Sequence, residues 1–145
     1  MNIKELPQNL LGKILLKKYL KLEVIPNNLK IQQLEKEHDV RITVVTKNSK
    51  EKSKLKSLSG TSLGRYIFLD NTYSMNSVKH EIGHSIQSKK FGCFYLLIVG
   101  LPSLSNNLWV RLFHRKWDNE RSIKWYYSRW PEKQADILGG VNRFR

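Results

Sequence analysis

The sequence predicts a small domain of the α+β class, in which helices are joined by a few short strands. Three segments show the spacing of apolar side chains that is typical of helices: 9–22, 29–37 and 78–87. Two runs rich in β-branched or aromatic residues indicate strands: 41–46 and 65–69. With 145 residues the chain can form one hydrophobic core, so we expect a single domain over residues 1–145.

Composition limits the cell compartment and the partners. A formal net charge of +14 favours anionic partners such as nucleic acid, an acidic protein or an anionic membrane surface. No recognition module with stacking aromatics accompanies the charge, which argues against nucleic acid. The single cysteine, Cys93, excludes an intrachain disulfide and favours a reducing, cytoplasmic location. Because Cys93 lies in an apolar run, we expect its side chain to be buried.

The N-terminal segment 9–22 predicts an amphipathic helix. Five residues can share its apolar face, opposite the lysines: Leu10, Leu11, Ile14, Leu15 and Tyr19. We expect this helix to back the segment 78–87, and a helix lying on the inner face of the membrane is the alternative. Lysines interrupt its apolar residues and no small-residue cleavage site follows, so it does not predict a signal peptide.

Two other stretches interrupt the predicted core elements. Residues 47–60 are rich in Lys and Ser and predict a flexible loop. Residues 93–113 form an apolar insertion whose uninterrupted apolar run, 93–102, is shorter than the roughly 20 residues that span a bilayer. Core packing or insertion into a membrane interface fits this run better. Polar residues between 102 and 111 weaken a transmembrane helix over the whole insertion but leave it as an alternative. Interfacial insertion would place a lipid surface beside the helix at 78–87.

The strongest chemical signal is the pattern H-E-x-x-H, formed by His80, Glu81 and His84. On a helix, positions four apart lie on one face, so both imidazoles can bind one zinc ion while the glutamate acts as a general base. On the opposite face Val78, Ile82 and Ile86 form an apolar stripe, which predicts the side of the helix that packs on the core. Two solvated or buried histidines without a metal are the alternative.

A catalytic zinc ion usually has three protein ligands, so a third is needed downstream. Pro131 suits the start of a helix and Gly139-Gly140 its end, which places Glu132 and Asp136 four apart on one face. Glu132 is the expected third ligand, and Asp136 is expected to accept the outer ring N–H of His80 or His84. His114 is the other candidate ligand, and an ordinary acidic pair on a surface helix is the alternative.

The two motifs together resemble those of the gluzincin metallopeptidases. The helical E-x-x-A-D at 132–136 is similar to that of the HtpX-like and prenyl-protein endopeptidases, and the small size resembles the minigluzincins. The resemblance implies a zincin-like fold in which a zinc-bound water attacks a peptide carbonyl, with Glu81 as base and His80, His84 and Glu132 as ligands. Nearly the whole chain also resembles small bacterial proteins, a resemblance that implies no substrate. The spacing of 48 positions from His84 to Glu132 departs from that of larger gluzincins.

The sequence therefore predicts a zinc metallopeptidase that acts on a peptide or protein substrate. Tyr126, Tyr127 and His114 are candidates to donate a hydrogen bond to the developing oxyanion, and aromatic packing is the alternative role for each. A non-catalytic adaptor that is stabilised by metal or bound to a membrane is the second functional hypothesis. Nucleic-acid binding through the positive charge is the third. The sequence predicts no oligomeric state.

Overall fold

The structure is a computed structural model that describes residues 6–19, 24–46 and 60–143. Its helices are α1 (Leu6–Tyr19), α2 (Leu29–His38), α3 (Met75–Phe91), α4 (Leu101–Phe113), α5 (Asn119–Ser128) and α6 (Glu132–Gly139). Its strands are β1 (Val24–Ile25), β2 (Arg41–Val45), β3 (Gly60–Leu63) and β4 (Tyr66–Asp70). A 3₁₀ turn (Gly92–Phe94) and a π-helical segment (Leu96–Gly100) connect α3 to α4. The predicted α+β class is confirmed.

The strands form one mixed sheet in the order β1-β2-β4-β3. β2 and β4 are parallel, with Thr43 opposite Phe68, and the two outer strands pair antiparallel to them. β3 and β4 form a hairpin whose two-residue turn begins at Gly64, with a φ of 64° that suits glycine. The strands predicted at 41–46 and 65–69 are confirmed, whereas β3 is not predicted because Leu63 is its only apolar residue.

The hydrophobic core lies between the sheet and helices α2 and α3. Its buried residues are Ile31, Val40, Ile42, Val44, Ile67, Leu69, Val78 and Ile82, with Ile86 packed against them. Burying each such side chain contributes about 1.5–3 kcal/mol. The apolar stripe predicted for α3 therefore holds this helix on the sheet, and its opposite face is left for polar side chains.

The apolar face predicted for α1 is wrong for Leu10, Leu11 and Ile14, which are exposed. The buried face is instead formed by Gln8, Asn9, Gly12 and Leu16. The face with which this helix packs is therefore largely polar, with Leu16 buried and the Tyr19 ring 5.1 Å from that of Phe68.

Polar side chains dock α1 on both the hairpin and the end of α3. Gln8 Nε2 donates to Ser88 Oγ at 3.0 Å and to the Gly92 carbonyl at 2.9 Å, while Asn9 Oδ1 accepts from Arg65 N at 2.9 Å. A Cβ at Gly12 would lie 2.7 Å from Tyr66 Cδ2, so glycine is required for this approach. α1 thus backs α3 at its C-terminal end, through hydrogen bonds.

The apolar insertion is helical and mostly exposed. Only Tyr95 and Val99 are buried among residues 93–100, and no residue of α4, all of which the structure describes, is buried. Residues 96–113 form 18 helical residues that are long and apolar enough to cross a membrane by length and composition alone, and 6% of them are buried. Cys93 is exposed, because the 3₁₀ turn directs it outward, so its predicted burial is wrong.

The loop predicted at 47–60 lies outside the described residues except for Gly60, which begins β3. α3 contains the predicted segment 78–87 and extends beyond it at both ends, and the boundaries predicted for α6 agree with the structure. Ser74 caps α3 by accepting from Ser77 N, and Gly92 ends it. α6 begins after Pro131 and ends at Gly140, which has a φ of 69°.

Candidate metal centre

Helices α3 and α6 are in direct backbone contact because each has a glycine at the crossing. A Cβ at Gly83 would overlap the carbonyl oxygen of Ala135, and a Cβ at Gly139 would overlap the carbonyl oxygen of Lys79. Larger residues at these positions would push the helices apart. The close approach brings the polar face of α3 against the acidic face of α6.

Three side chains converge at this crossing. His80 Nε2 lies 3.0 Å and His84 Nε2 lies 3.2 Å from the same oxygen, Oε2 of Glu132. One donor atom from each of the three lies within 4.8 Å of the other two, and all three residues are buried. Ligands held about 2.0–2.2 Å from one tetrahedral ion lie roughly 3.3 Å apart, which is close to these spacings.

The outer nitrogen of each imidazole has its own partner. His80 Nδ1 lies 2.7 Å from Asp136 Oδ1, and His84 Nδ1 lies 2.7 Å from Gln87 Oε1. An ionised carboxylate only accepts, so His80 Nδ1 must be the donor. Asp136 therefore orients His80, one of the two rings that the sequence left open for this role.

Gln87 orients the other ring, a role that the sequence analysis missed. Its Nε2 donates to the Pro131 carbonyl at 3.0 Å and to Gln134 Oε1 at 2.9 Å. Because both of those partners accept, Gln87 Oε1 must face His84 Nδ1, which then donates. The only sequence signal is that Gln87 lies one helical turn after His84; its other partners belong to a distant segment.

The hydrogen bonds to Nδ1 leave both Nε2 atoms facing Glu132. When the rings are neutral, two nitrogen lone pairs and a carboxylate oxygen point at one small volume, an arrangement that only a cation or ring protons can stabilise. The other oxygen, Glu132 Oε1, is buried and has no hydrogen-bond partner among the described residues. This donor set, two imidazoles and one carboxylate, fits a zinc ion.

The pKa values reflect this crowding. Burial alone would lower the pKa of His80, but its hydrogen bonds with Asp136 and Glu132 outweigh burial and raise that pKa to about 9. Burial would raise the pKa of Glu132, but its hydrogen bonds with His80 and His84 hold that pKa well below its usual range. The cluster therefore strongly favours positive charge beside Glu132, which either protons or a metal ion can supply.

Glu81 lies beside the cluster and also faces β3. A Cβ at Gly60 would lie 2.5 Å from Glu81 Oε1, so the first residue of β3 must be small to admit the carboxylate. Burial raises the pKa of Glu81, and the nearby imidazoles of His84 and His80 partly oppose this. A buried carboxylate with a raised pKa is suited to accepting and returning a proton.

A cleft of about 550 Å³ opens onto the cluster. It is lined by β3, by residues of α4 and by four side chains of the crossing: His80, Glu81, His84 and Glu132. Among the described strands β3 pairs only with β4, so it is an edge strand of the sheet, and the Ser62 carbonyl on it accepts from Tyr95 Oη at 3.4 Å.

Of the three candidate oxyanion donors, the structure brings two to the cleft. Tyr126 and Tyr127 line it, and the Tyr127 ring meets the His80 ring edge to face at 5.1 Å. Burial raises the pKa of Tyr126 above its ordinary range and that of Tyr127 to about 12, so both hydroxyls stay protonated at neutral pH. Either can donate a hydrogen bond.

The structure does not bring His114 to the cleft or to the metal cluster. Its ring stacks on Trp117 at 3.7 Å between centroids, and its Nε2 accepts from Trp109 Nε1 at 3.1 Å. The reason is that α4 lines the cleft only as far as Arg111, and His114 follows the end of the helix.

Arg143 is a second residue that the sequence analysis missed. Its Nε donates to Asp136 Oδ2 at 2.8 Å, and its guanidinium lies 3.6 Å from the Tyr127 ring centroid. Arg143 thereby contacts both Asp136, which orients His80, and Tyr127, whose ring packs on His80. It lies outside every local motif, so only the folded chain reveals it.

No model of a protein family, no curated protein and no solved structure matches this chain significantly.

Proposed function

We propose that this protein is a zinc-dependent metallopeptidase with a zincin-like fold. The observation that carries the proposal is the convergence of His80, His84 and Glu132, whose donor atoms lie within 4.8 Å of one another in the lining of a cleft. Two imidazoles and one carboxylate are a donor set of catalytic zinc sites, which leave one position for water. The support consists of the positions of these side chains on α3 and α6 and of their chemical types.

The residues around the cluster fit distinct roles in peptide hydrolysis. Zinc held by the three ligands would lower the pKa of a water molecule and polarise the scissile carbonyl. Glu81 removes the proton from the attacking water and delivers it to the leaving amine, which its raised pKa favours. Tyr126 or Tyr127 donates a hydrogen bond to the oxygen on which negative charge develops.

Substrate binding follows from the shape of the cleft. An extended peptide can pair with β3, an edge strand of the sheet that lines the cleft, and main-chain hydrogen bonds would then hold it in the cleft. Such pairing holds the scissile bond near Glu81, because the carboxylate packs on Gly60 at the start of β3. An endopeptidase is the activity that this open-ended arrangement favours.

The direct test is Glu81→Gln in the zinc-loaded protein, assayed with a library of quenched fluorescent peptides. We expect the rate of hydrolysis to fall by about 10²–10⁴-fold because the general base is lost. Zinc content should be unchanged because Glu81 is not one of the three converging ligands. Glu120→Gln, an exposed glutamate of α5, is the matched control and should keep parental activity. Parental activity in Glu81→Gln would contradict the mechanism.

A non-catalytic, membrane-associated adaptor on the same scaffold is the second candidate. The observation that favours it is the exposed apolar surface of α4, which peptide hydrolysis does not require. An adaptor would need neither Glu81 nor a free position on the metal. Zinc-loaded protein that binds lipid vesicles and hydrolyses no peptide of the library would favour the adaptor over the peptidase.

A further inference from the structure

The outward face of residues 96–113 is a continuous stripe of leucines. The stripe consists of Leu97, Leu101, Leu104, Leu108 and Leu112, which recur every three or four residues and are between 44% and 64% exposed. Trp109 and Phe113 extend it at the C-terminal end. An uninterrupted apolar stripe of this kind marks an interaction surface rather than a scatter of single exposed residues.

The opposite, inward face of the same helix carries polar contacts. Asn106 Nδ2 donates to the Trp130 carbonyl at 3.0 Å, and Ser103 Oγ lies 3.4 Å from Tyr126 Oη. The helix is therefore inverted relative to a surface helix of a soluble domain, whose apolar stripe faces the core. The inversion indicates that the leucine stripe meets an apolar medium.

The tertiary contacts of this helix argue that it lies in a membrane interface and does not cross the bilayer. Length and composition alone would let these 18 helical residues cross a membrane, so the contacts that hold the helix decide how it can meet lipid. The polar contacts of Ser103 and Asn106 tie one side of the helix to the rest of the domain. A helix held along one side can bury only its other side in lipid.

The charge around this helix complements an anionic surface. Arg111, Arg115 and Lys116 are exposed at its C-terminal end, and the chain as a whole has a formal net charge of +14. Basic side chains beside an apolar stripe, with tryptophan at its edge, are typical of helices that bind anionic lipid. A second copy of this chain would bring the same positive charges together, so charge favours lipid over self-association.

The leucine stripe is continuous with the cleft. Leu101, Leu104 and Leu108 belong to the stripe and also form a wall of the cleft that reaches Glu81. We propose that residues 96–113 dock the protein on an anionic lipid surface, with the cleft opening at that surface. Lipid binding stands independently of catalysis. If the proposed function holds, the cleft would act on peptide segments that lie at the membrane.

The test is co-sedimentation with vesicles of phosphatidylglycerol and phosphatidylcholine, compared with vesicles of phosphatidylcholine alone. The double variant Leu97→Glu, Leu112→Glu changes the outer stripe and leaves the cleft wall intact. Leu29→Glu, an exposed leucine of α2, is the matched control. We expect the parent and the control to sediment with the anionic vesicles, and the double variant to bind about tenfold more weakly or not at all.

Each outcome decides the proposal. Equal binding by the double variant, with circular dichroism showing that it is folded, would overturn it. Equal binding of the parent to both vesicle types at low salt would overturn the proposal that the lipid surface is anionic. A dimer that the double variant dissociates, without vesicle binding by the parent, would show that a second copy covers the stripe. Peptide hydrolysis without vesicle binding would overturn the docking proposal and leave the peptidase intact.

Discussion

Two regions depart from the usual distribution of side chains, in which ionisable groups are exposed and apolar groups are buried. They are the interface of α3 with α6 and the outer face of α4. The first buries His80, His84 and Glu132, whereas the second exposes a stripe of leucines. A buried ionisable cluster costs free energy unless a charged partner compensates, and an exposed apolar stripe costs free energy unless an apolar partner covers it. The difference supports two different proposals: a cation as the partner of the buried cluster, and a lipid surface as the partner of the exposed stripe.

The buried region should tolerate an added methyl group far less than the exposed one. In Gly83→Ala the new Cβ would overlap the Ala135 carbonyl, so we expect the free energy of unfolding to fall by about 3 kcal/mol. In Gly100→Ala the Cβ would meet no atom nearer than 3.8 Å, and helix propensity should raise stability by up to about 1 kcal/mol. Denaturation in urea measures the free energy of unfolding of both variants. Equal changes in the two variants would contradict the expected difference between the two regions.

Removing the support of one ligand should weaken the buried site without destroying it. Gln87→Met leaves His84 Nδ1 without its acceptor, and we expect zinc affinity to fall by about 10–100-fold. Gln134→Met is the control, because Gln134 accepts from Nε2 of Gln87 and not from the oxygen that faces His84. Competition with a chromophoric chelator measures the affinities. If both variants lost the same affinity, general loosening of the α3–α6 interface would explain the effect and orientation of His84 would not.

The exposed region should be nearly indifferent to polar substitution in water. Leu112 is 64% exposed, so Leu112→Ser removes little buried area, and we expect the free energy of unfolding to change by no more than about 0.5 kcal/mol. Ile67→Ser, in the core, is the contrasting variant and should cost several times as much. A large loss of stability in Leu112→Ser, measured by thermal melting, would show that the stripe packs on the protein itself.

The elements whose signals are local could be predicted from the sequence. α3 and α6 follow from helical spacing, α6 also from the proline and the glycines at its ends, and β2 and β4 follow from their β-branched and aromatic residues. The short edge strand β3 could not be predicted, because its pairing with β4 and not its composition makes it a strand.

The mistaken predictions share one assumption, that apolar side chains turn inward. Leu10, Ile14 and Cys93 are exposed, because α1 packs with a largely polar face that includes Gln8 and Asn9, and a 3₁₀ turn directs Cys93 outward. Asp136 could be anticipated from its spacing to Glu132. The partners that orient the site beyond it, Gln87 and Arg143, depend on tertiary contacts that no local pattern encodes.

The most direct measurement of the central claim is the zinc content of the purified protein and of Glu132→Ala, determined by elemental analysis with Glu120→Ala as the control. Glu132 lies between the two histidines, whereas Glu120 is exposed on α5. We predict about one zinc ion per chain in the parent and the control, and a marked loss in Glu132→Ala. A parent that binds no zinc after reconstitution, or a Glu132→Ala variant that binds it as well as the parent does, would contradict the account.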